Sequence, residues 1–245
     1  MTSRILLINP NTSTDMTRLI VEQAAKHVPP GVVIDPVTAN FGANVIASRA
    51  SYAIAAHAAL DCSARHSRAA TGIIVACFGD PGVPAIREMT PIPVIGLAEA
   101  SVKIAGRRKR PFAIITAGLA WKPMLTEFVS AMPEVDLFTG VYCVNATGIA
   151  VSREPDRFAS LIANQIEKAQ ADGAETVILG GAALAGFSSR LNCEPVLIDC
   201  VAAAVMELRN VESTIRSGKD DPPSLPSIGL TDELAGLLGR GKPCE

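Results

Sequence analysis

Short apolar runs alternate along the chain with longer stretches whose apolar residues recur at helical spacing. Residues 4–9 (RILLIN), 32–37, 72–76 and 93–97 read as strands, each bounded by Pro, Gly or Asn on at least one side. Residues 14–27 and 48–66 read as helices, the first preceded by Thr12 and Ser13 as cap candidates. The scheme then repeats: 112–116, 137–144, 176–179 and 195–198 predict strands, and 122–130, 156–171 and 200–208 predict helices. Strands alternating with helices predict an α/β protein whose mostly parallel sheets are covered by helices.

The two halves align with each other. TGIIVACFGDPG (71–82) matches ETVILGGAALAG (175–186) in pattern, which sets Cys77 opposite Gly181. IPVIGLAEA (92–100) matches EPVLIDCVA (194–202), and RILLINPN (4–11) matches PFAIITAG (111–118) more loosely. The expectation is two pseudo-symmetric domains, residues 1–100 with the tail 209–245, and residues 101–208. Ligands bind beyond the carboxyl ends of the strands in open α/β sheets, so the site belongs in the crevice between the domains. After Asn210 the composition shifts: 213–227 is rich in Ser, Pro, Gly and charge, and 231–238 suits one short helix. This tail reads as a surface strap, a subunit contact or a linker.

Composition narrows the partners. Aromatics make up 4% of the 245 residues, so Ala, Val, Ile and Leu must build the core. The net charge is −2, and the one basic run, Arg107-Arg108-Lys109-Arg110, reads as a solvated loop. A nucleic-acid partner is not expected. No run reaches the roughly 18 apolar residues of a membrane span. The first apolar run is shorter than the roughly 7–15 residues of a signal h-region, so a cytoplasmic location is expected. The six cysteines, 62, 77, 143, 193, 200 and 244, contain no CxxC pair, and His27, His57 and His66 have no metal-ligand companion at a useful spacing. Neither a metal nor a disulfide framework is expected.

Cys77 stands apart from the other thiols. A free cysteine usually behaves as a small buried hydrophobe, the reading for Cys62, Cys143 and Cys200. Cys77 instead lies where a strand gives way to Gly79-Asp80-Pro81-Gly82, facing the predicted crevice. Backbone N–H groups in such a turn can lower a thiol's pKa or bind an anion.

The segments ILLINPNTS with Met16-Thr17, Val37-Thr38-Ala39 followed by Ile46-Ala47-Ser48, the turn ACFGDPG and the stretch VIGLAEA together resemble the hydantoin racemase branch of the aspartate/glutamate racemase superfamily. The resemblance spans about residues 4–208. It implies the same two-domain fold, a cofactor-independent enzyme, a small carboxylate or cyclic ureide as substrate, and a homo-oligomer. It also implies one cysteine on each face of a carbon acid, one removing a proton and the other returning one. Cys77 matches the first. The turn that carries the second reads Gly180-Gly181-Ala182, so Gly181 fills the slot of the second base.

A lone thiol supports nucleophilic addition, one-sided protonation after bond cleavage, or isomerisation through an adduct. The expected function is therefore a one-thiol lyase, hydrolase or isomerase acting on a cyclic ureide, thiohydantoin or related acid. The alternatives are a racemase using water, Glu99 or Cys200 as second base, and a non-catalytic binding protein. Cys193 precedes its strand, at the wrong end. Cys200 follows it, on the correct edge but one strand over.

Other candidates are carried by position or by the resemblance. Asn11 is a substrate ligand or an Asx-turn and cap. The N–H groups of Phe78 and Gly79 suit a substrate anion. Asp80 orients a water or the thiol's partner, or caps a helix beginning near Pro81. Ile46 and Ser48 line the pocket or begin a helix. Thr116, Ala117 and Gly118 mirror Asn9-Pro10-Asn11 and suit a second anion contact, and Trp121 is a pocket wall or a helix staple.

Overall fold

The computed structural model describes residues 3–191, 193–211 and 227–238. Its elements in chain order are β1 (Arg4–Asn9), α1 (Thr14–Ala24), β2 (Val33–Thr38), α2 (Arg49–His66), β3 (Gly72–Val75), α3 (Val83–Met89), β4 (Val94–Gly96), α4 (Leu97–Arg107), β5 (Phe112–Ala117), α5 (Trp121–Ser130), β6 (Phe138–Val144), α6 (Gly148–Arg153), α7 (Pro155–Ala171), β7 (Thr176–Leu179), β8 (Val196–Asp199), α8 (Cys200–Glu207) and α9 (Asp232–Leu238).

Two four-stranded sheets form, ordered β2-β1-β3-β4 and β6-β5-β7-β8, with every pair parallel. The repetition of order follows the repetition of sequence. β3 and β7 are buried along their whole length, which explains why both read as unbroken apolar runs. Parallel pairing aligns all carboxyl ends of a sheet on one edge.

One apolar core runs through both sheets. It joins Ile5, Leu7, Ile74 and Ile95 of the first to Phe112, Ile114, Ile178 and Ile198 of the second, by way of α4 and α8. The expected boundary at 100/101 falls inside α4, a continuous helix shared by the two halves. The run 93–97 likewise ends one residue early: Gly96 closes β4 and Leu97 opens α4. Glu99 therefore lies in the first helical turn rather than at a strand end. The basic run at 107–110 is partly structural, since Arg107 ends α4 and pairs with Glu207, and Arg110 pairs with Glu175 at 3.4 Å.

In the tail, α9 packs on α2, and the Thr231 hydroxyl donates to Asp61 at 2.6 Å. The expected strap at 213–227 lies outside the described residues apart from Ser227. No helix among the described residues is long and apolar enough to cross a membrane.

Candidate active site

The chain leaves β3 with Ala76, whose N–H donates to Ile8 O at 2.7 Å, and enters a turn closed by Asp80 N–H on Cys77 O at 3.0 Å. Gly79 has φ +122°, and a Cβ there would stand 2.8 Å from the Trp121 ring, so both backbone and space require glycine. Asp80 adopts φ +60°, a left-handed conformation that Asp tolerates better than most residues. Its carboxylate accepts the N–H groups of Ala98 at 2.8 Å and Glu99 at 2.7 Å, at the start of α4. Gly96, the N-cap of α4, offers no capping side chain, and the space its Cβ would take is filled by the Asp80 carboxylate. Asp80 is thus the cap of α4, supplied from the preceding loop.

Burial dominates the electrostatics. It pushes the Asp80 carboxyl up to about 7, against the two N–H groups that favour its anion. Burial, and then Asp80, raise the Cys77 thiol far above its ordinary range. The expectation that turn N–H groups would lower this pKa is overturned: the thiol is nine-tenths covered and has an anion as neighbour. Cys77 is accordingly a neutral thiol at neutral pH, suited to giving a proton.

A cavity of about 140 Å³ opens above the thiol, lined from both domains. From the first come Asn11, Ile46, Cys77 and Phe78, and from the second Thr116, Ala117, Gly118, Trp121, Gly180, Gly181 and Ala182. Asn11 Oδ1 accepts Ser13 N–H at 2.8 Å and Asn9 Nδ2 at 3.0 Å, which leaves its own Nδ2 as the donor for a ligand. Asn11 is therefore a turn-former and a cavity residue at once. Trp121 opens α5, and its Nε1–H crosses between domains to Ile46 O at 3.1 Å. The Phe78 ring also crosses: a Cβ on Gly180 would meet it at 2.6 Å.

Gly181 lies two residues beyond β7, as Cys77 lies two beyond β3, and both line the cavity. A Cβ at 181 would meet only Thr116 Oγ1 within 4 Å, at 3.7 Å. That buried hydroxyl makes no hydrogen bond among the described residues. The space is open, but φ +134° makes any side chain there strained.

Three expected contacts lie elsewhere. Ser48 is exposed and caps α2, exchanging hydrogen bonds with Ser51 in a capping box, so its polarity serves the helix end. Gly79 lies outside the cavity lining, its carbonyl accepting Tyr52 Oη–H at 2.6 Å. Asp80 is turned away from the cavity to α4, so it acts as a cap and not on a water.

The proposed second bases are also removed from the cavity. Glu99 pairs with Arg87 at 2.5 Å and Lys103 at 2.7 Å. Cys200 is fully buried behind Gly181, whose N–H favours its thiolate, but burial and Asp199 raise its pKa well above normal. Sequence reasoning missed Val45, Ala146, Thr147, Ile149 and Leu184, which line the cavity from loops and α6. The apolar pattern around α6 was the signal available for it. It also missed Asn9, fully buried, which donates to Asn11, Ser13 O at 3.0 Å and Thr17 at 2.9 Å and so fixes the Asn11 turn.

The family model for Asp/Glu/Hydantoin racemases matches residues 5–208. A hydantoin racemase from Paenarthrobacter aurescens is 32% identical over 222 residues, covering 88% of this chain and 92% of that protein. One from Rhizobium meliloti is 32% identical over 212 residues, covering 82% and 85%. Among solved structures, an allantoin racemase from Klebsiella pneumoniae superposes with a TM-score of 0.84 at 27% identity, covering 96% of this chain and 98% of that one. With two like-ordered sheets, a thiol in the turn after β3 and a family match over most of its length, the chain belongs to the Asp/Glu/hydantoin racemase family.

Proposed function

We propose that the protein is a one-thiol enzyme of this family, acting on a small cyclic ureide or a closely related ring. One observation carries the reading: Cys77 is the sole titratable side chain lining the cavity among the described residues, and Gly181 occupies the matching place in the second domain.

The lining supports a neutral ring over a free amino acid. Among the described residues no charged side chain lines the cavity, so the ammonium and carboxylate of an amino acid would lose their hydration without a partner. A ring amide needs only hydrogen bonds. Asn11 Nδ2 and the Phe78 N–H, which has no partner among the described residues, are donors for its carbonyl groups. The relatives named above, which are hydantoin and allantoin racemases, point to the same ring class.

The thiolate form of Cys77 removes the proton from one face of the carbon next to a ring carbonyl, the C–H bond breaking as Sγ–H forms, and Sγ–H, after exchange with solvent, returns a proton to that same face. The electron pair passes into the carbonyl as an enolate, held by the donors at Asn11 and Phe78. Without a thiol at 181 the opposite face has no matching acid, so the chemistry is one-sided protonation in an isomerase or lyase. A second reading, two-face racemisation with a water beside Gly181 and Thr116, is favoured by the free Thr116 hydroxyl and by the racemase relatives.

Each enantiomer of a 5-substituted hydantoin, incubated in D2O and followed by NMR and optical rotation, separates the two readings. Exchange at C5 of one enantiomer, abolished by Cys77→Ser, is the expected result. Equal exchange of both enantiomers supports the water-assisted racemase. Tight binding with no exchange or turnover of any ureide or thiohydantoin overturns both and leaves a binding protein.

A further inference from the structure

The inner cavity is too small for a ring with a long substituent. A cavity near 150 Å³ holds benzene, so about 140 Å³ is filled by one five-membered ring. Whatever is attached to the reacting carbon must leave the cavity, and two compartments adjoin it. One, of about 340 Å³ beside Met124 and Phe128, shares only Trp121 with the cavity. The indole stands as a partition there, tied by its N–H to Ile46 O. The other, of about 430 Å³, adjoins the cavity along Met16, Asn44 and Ile149, which line both.

This second compartment is polar and lies between the start of α1 and the end of α6. Arg18 and Arg153 line it, one from each domain, together with Thr12, Thr14 and Ser152. Asp15, also in the lining, pairs with Arg18 at 3.2 Å. Arg153 makes no ion pair or side-chain hydrogen bond among the described residues. One uncompensated positive charge therefore faces the compartment, and the first turn of α1 adds its partial positive charge. The Thr12 and Thr14 hydroxyls and the Asn44 amide, likewise without side-chain hydrogen bonds among the described residues, are free to bind a polar group.

We propose that this compartment is the subsite for the substituent on the reacting carbon, and that it selects a substituent ending in a carboxylate, held by Arg153 with Arg18 beside it. A guanidinium offers a carboxylate two parallel N–H donors, which a neutral amide does not match. The inference rests on the ring assignment above and adds to it the class of side group: a chain ending in an acid.

The test compares hydantoin-5-acetic acid with its neutral amide, in the full-length protein and in Arg153→Ala, Arg153→Lys and Arg18→Ala. The readouts are the kcat/KM for Cys77-dependent C5 exchange and the Kd of each compound by calorimetry. The acid is expected to be preferred over the amide by about tenfold or more, largely through KM. Arg153→Ala is expected to erase the preference and Arg153→Lys to keep part of it. Arg18→Ala is expected to reduce it less, because Asp15 already engages that side chain. Equal handling of acid and amide by the wild-type protein, or a preference that survives Arg153→Ala, overturns the subsite. If neither compound exchanges at C5, the ring chemistry fails. The subsite is then judged on Kd: acid binding weakened by Arg153→Ala upholds it, and absent or Arg153-independent binding overturns it. Arg153 is exposed, so its replacement leaves the core untouched.

Discussion

The turns after β3 and β7 begin from equivalent strands and line one cavity, yet they are held in different ways. After β3, Asp80 reaches back to cap α4 because Gly96 has no side chain. After β7, the turn Gly181–Ala182 leads into a short helical loop, and the cap of α8 is Asp199 at the end of β8. Asp199 accepts Val201 N–H at 2.9 Å and Ala202 N–H at 3.1 Å, and its second oxygen accepts Gly186 N–H at 2.6 Å. Each domain thus places one carboxylate at the same helix terminus, but from different points in the chain. In the first domain that carboxylate belongs to the thiol's own turn, so position and electrostatics of Cys77 are coupled. In the second domain the turn is free of that duty, and Gly181 stands where Cys77 stands in the first.

The largest expected effect lies at the thiol. Cys77→Ser removes the only titratable side chain that lines the cavity among the described residues and is expected to lower kcat for C5 exchange by about 10²–10⁴-fold, the usual scale of general acid–base catalysis. The side chain is nearly isosteric, so the melting temperature is expected to move little. Retained exchange in a folded Cys77→Ser protein would dissolve the contrast between the two turns as a catalytic one.

Next is an exchange of the two capping arrangements. Gly96→Asp alone would drive a second carboxylate into the space of Asp80. A cost of about 3 kcal/mol or more is expected in urea unfolding, from overpacking and an unpaired buried charge. Adding Asp80→Gly gives the first domain the arrangement of the second and relieves the φ +60° residue, so most of the loss is expected to return. If the double variant is no more stable than the additive sum, Asp80 and position 96 do not compete for one site.

Much of this architecture was legible from sequence. Buried parallel strands leave nearly continuous apolar runs ended by Pro, Gly or Asn, so β1, β3, β5 and β7 were read almost to the residue, and the duplication set Cys77 against Gly181. α4 was not legible, because VIGLAEA passes from strand to helix without a polar residue to mark the change, and its N-cap is a glycine. The role of Asp80 was hidden for the same reason: its partners are the backbone of Ala98 and Glu99, and backbone N–H groups leave no trace in sequence. Ser48 misled because a capping hydroxyl and a ligand hydroxyl look alike until the helix is seen to start beside it.

A third change restores symmetry at the reactive slot. The site of a 181 side chain is empty apart from Thr116 Oγ1, so Gly181→Cys is expected to fold with a loss of about 1–3 kcal/mol for the φ +134° backbone. It places a second thiol on the other face. Exchange at C5 of the formerly inert enantiomer is the expected gain, with interconversion of both. A stable Gly181→Cys protein that still exchanges one enantiomer alone would show that the absent thiol is not what makes the site one-sided.

The smallest effect tests the coupling between Asp80 and Cys77. In the fold Asp80 titrates near 7, above its unfolded value of 3.8. A carboxyl raised in this way stabilises the fold fully below about pH 4, and that contribution is lost as the pH rises through 7. The anion present above pH 7 is also what adds to the burial effect on the thiol. Asp80→Asn keeps a residue that tolerates the left-handed backbone and an oxygen for one N–H of α4, while removing the charge. The midpoint of Cys77 alkylation by iodoacetamide, followed site by site with mass spectrometry, is expected to move to lower pH by up to about one unit, equivalent to about 1.4 kcal/mol. The rise in unfolding free energy expected for the wild type on acidification from pH 8 to 6 is expected to shrink in the same variant. An unchanged alkylation midpoint would mean that burial alone holds the thiol protonated, and that the two turns differ electrostatically only through the presence of sulfur.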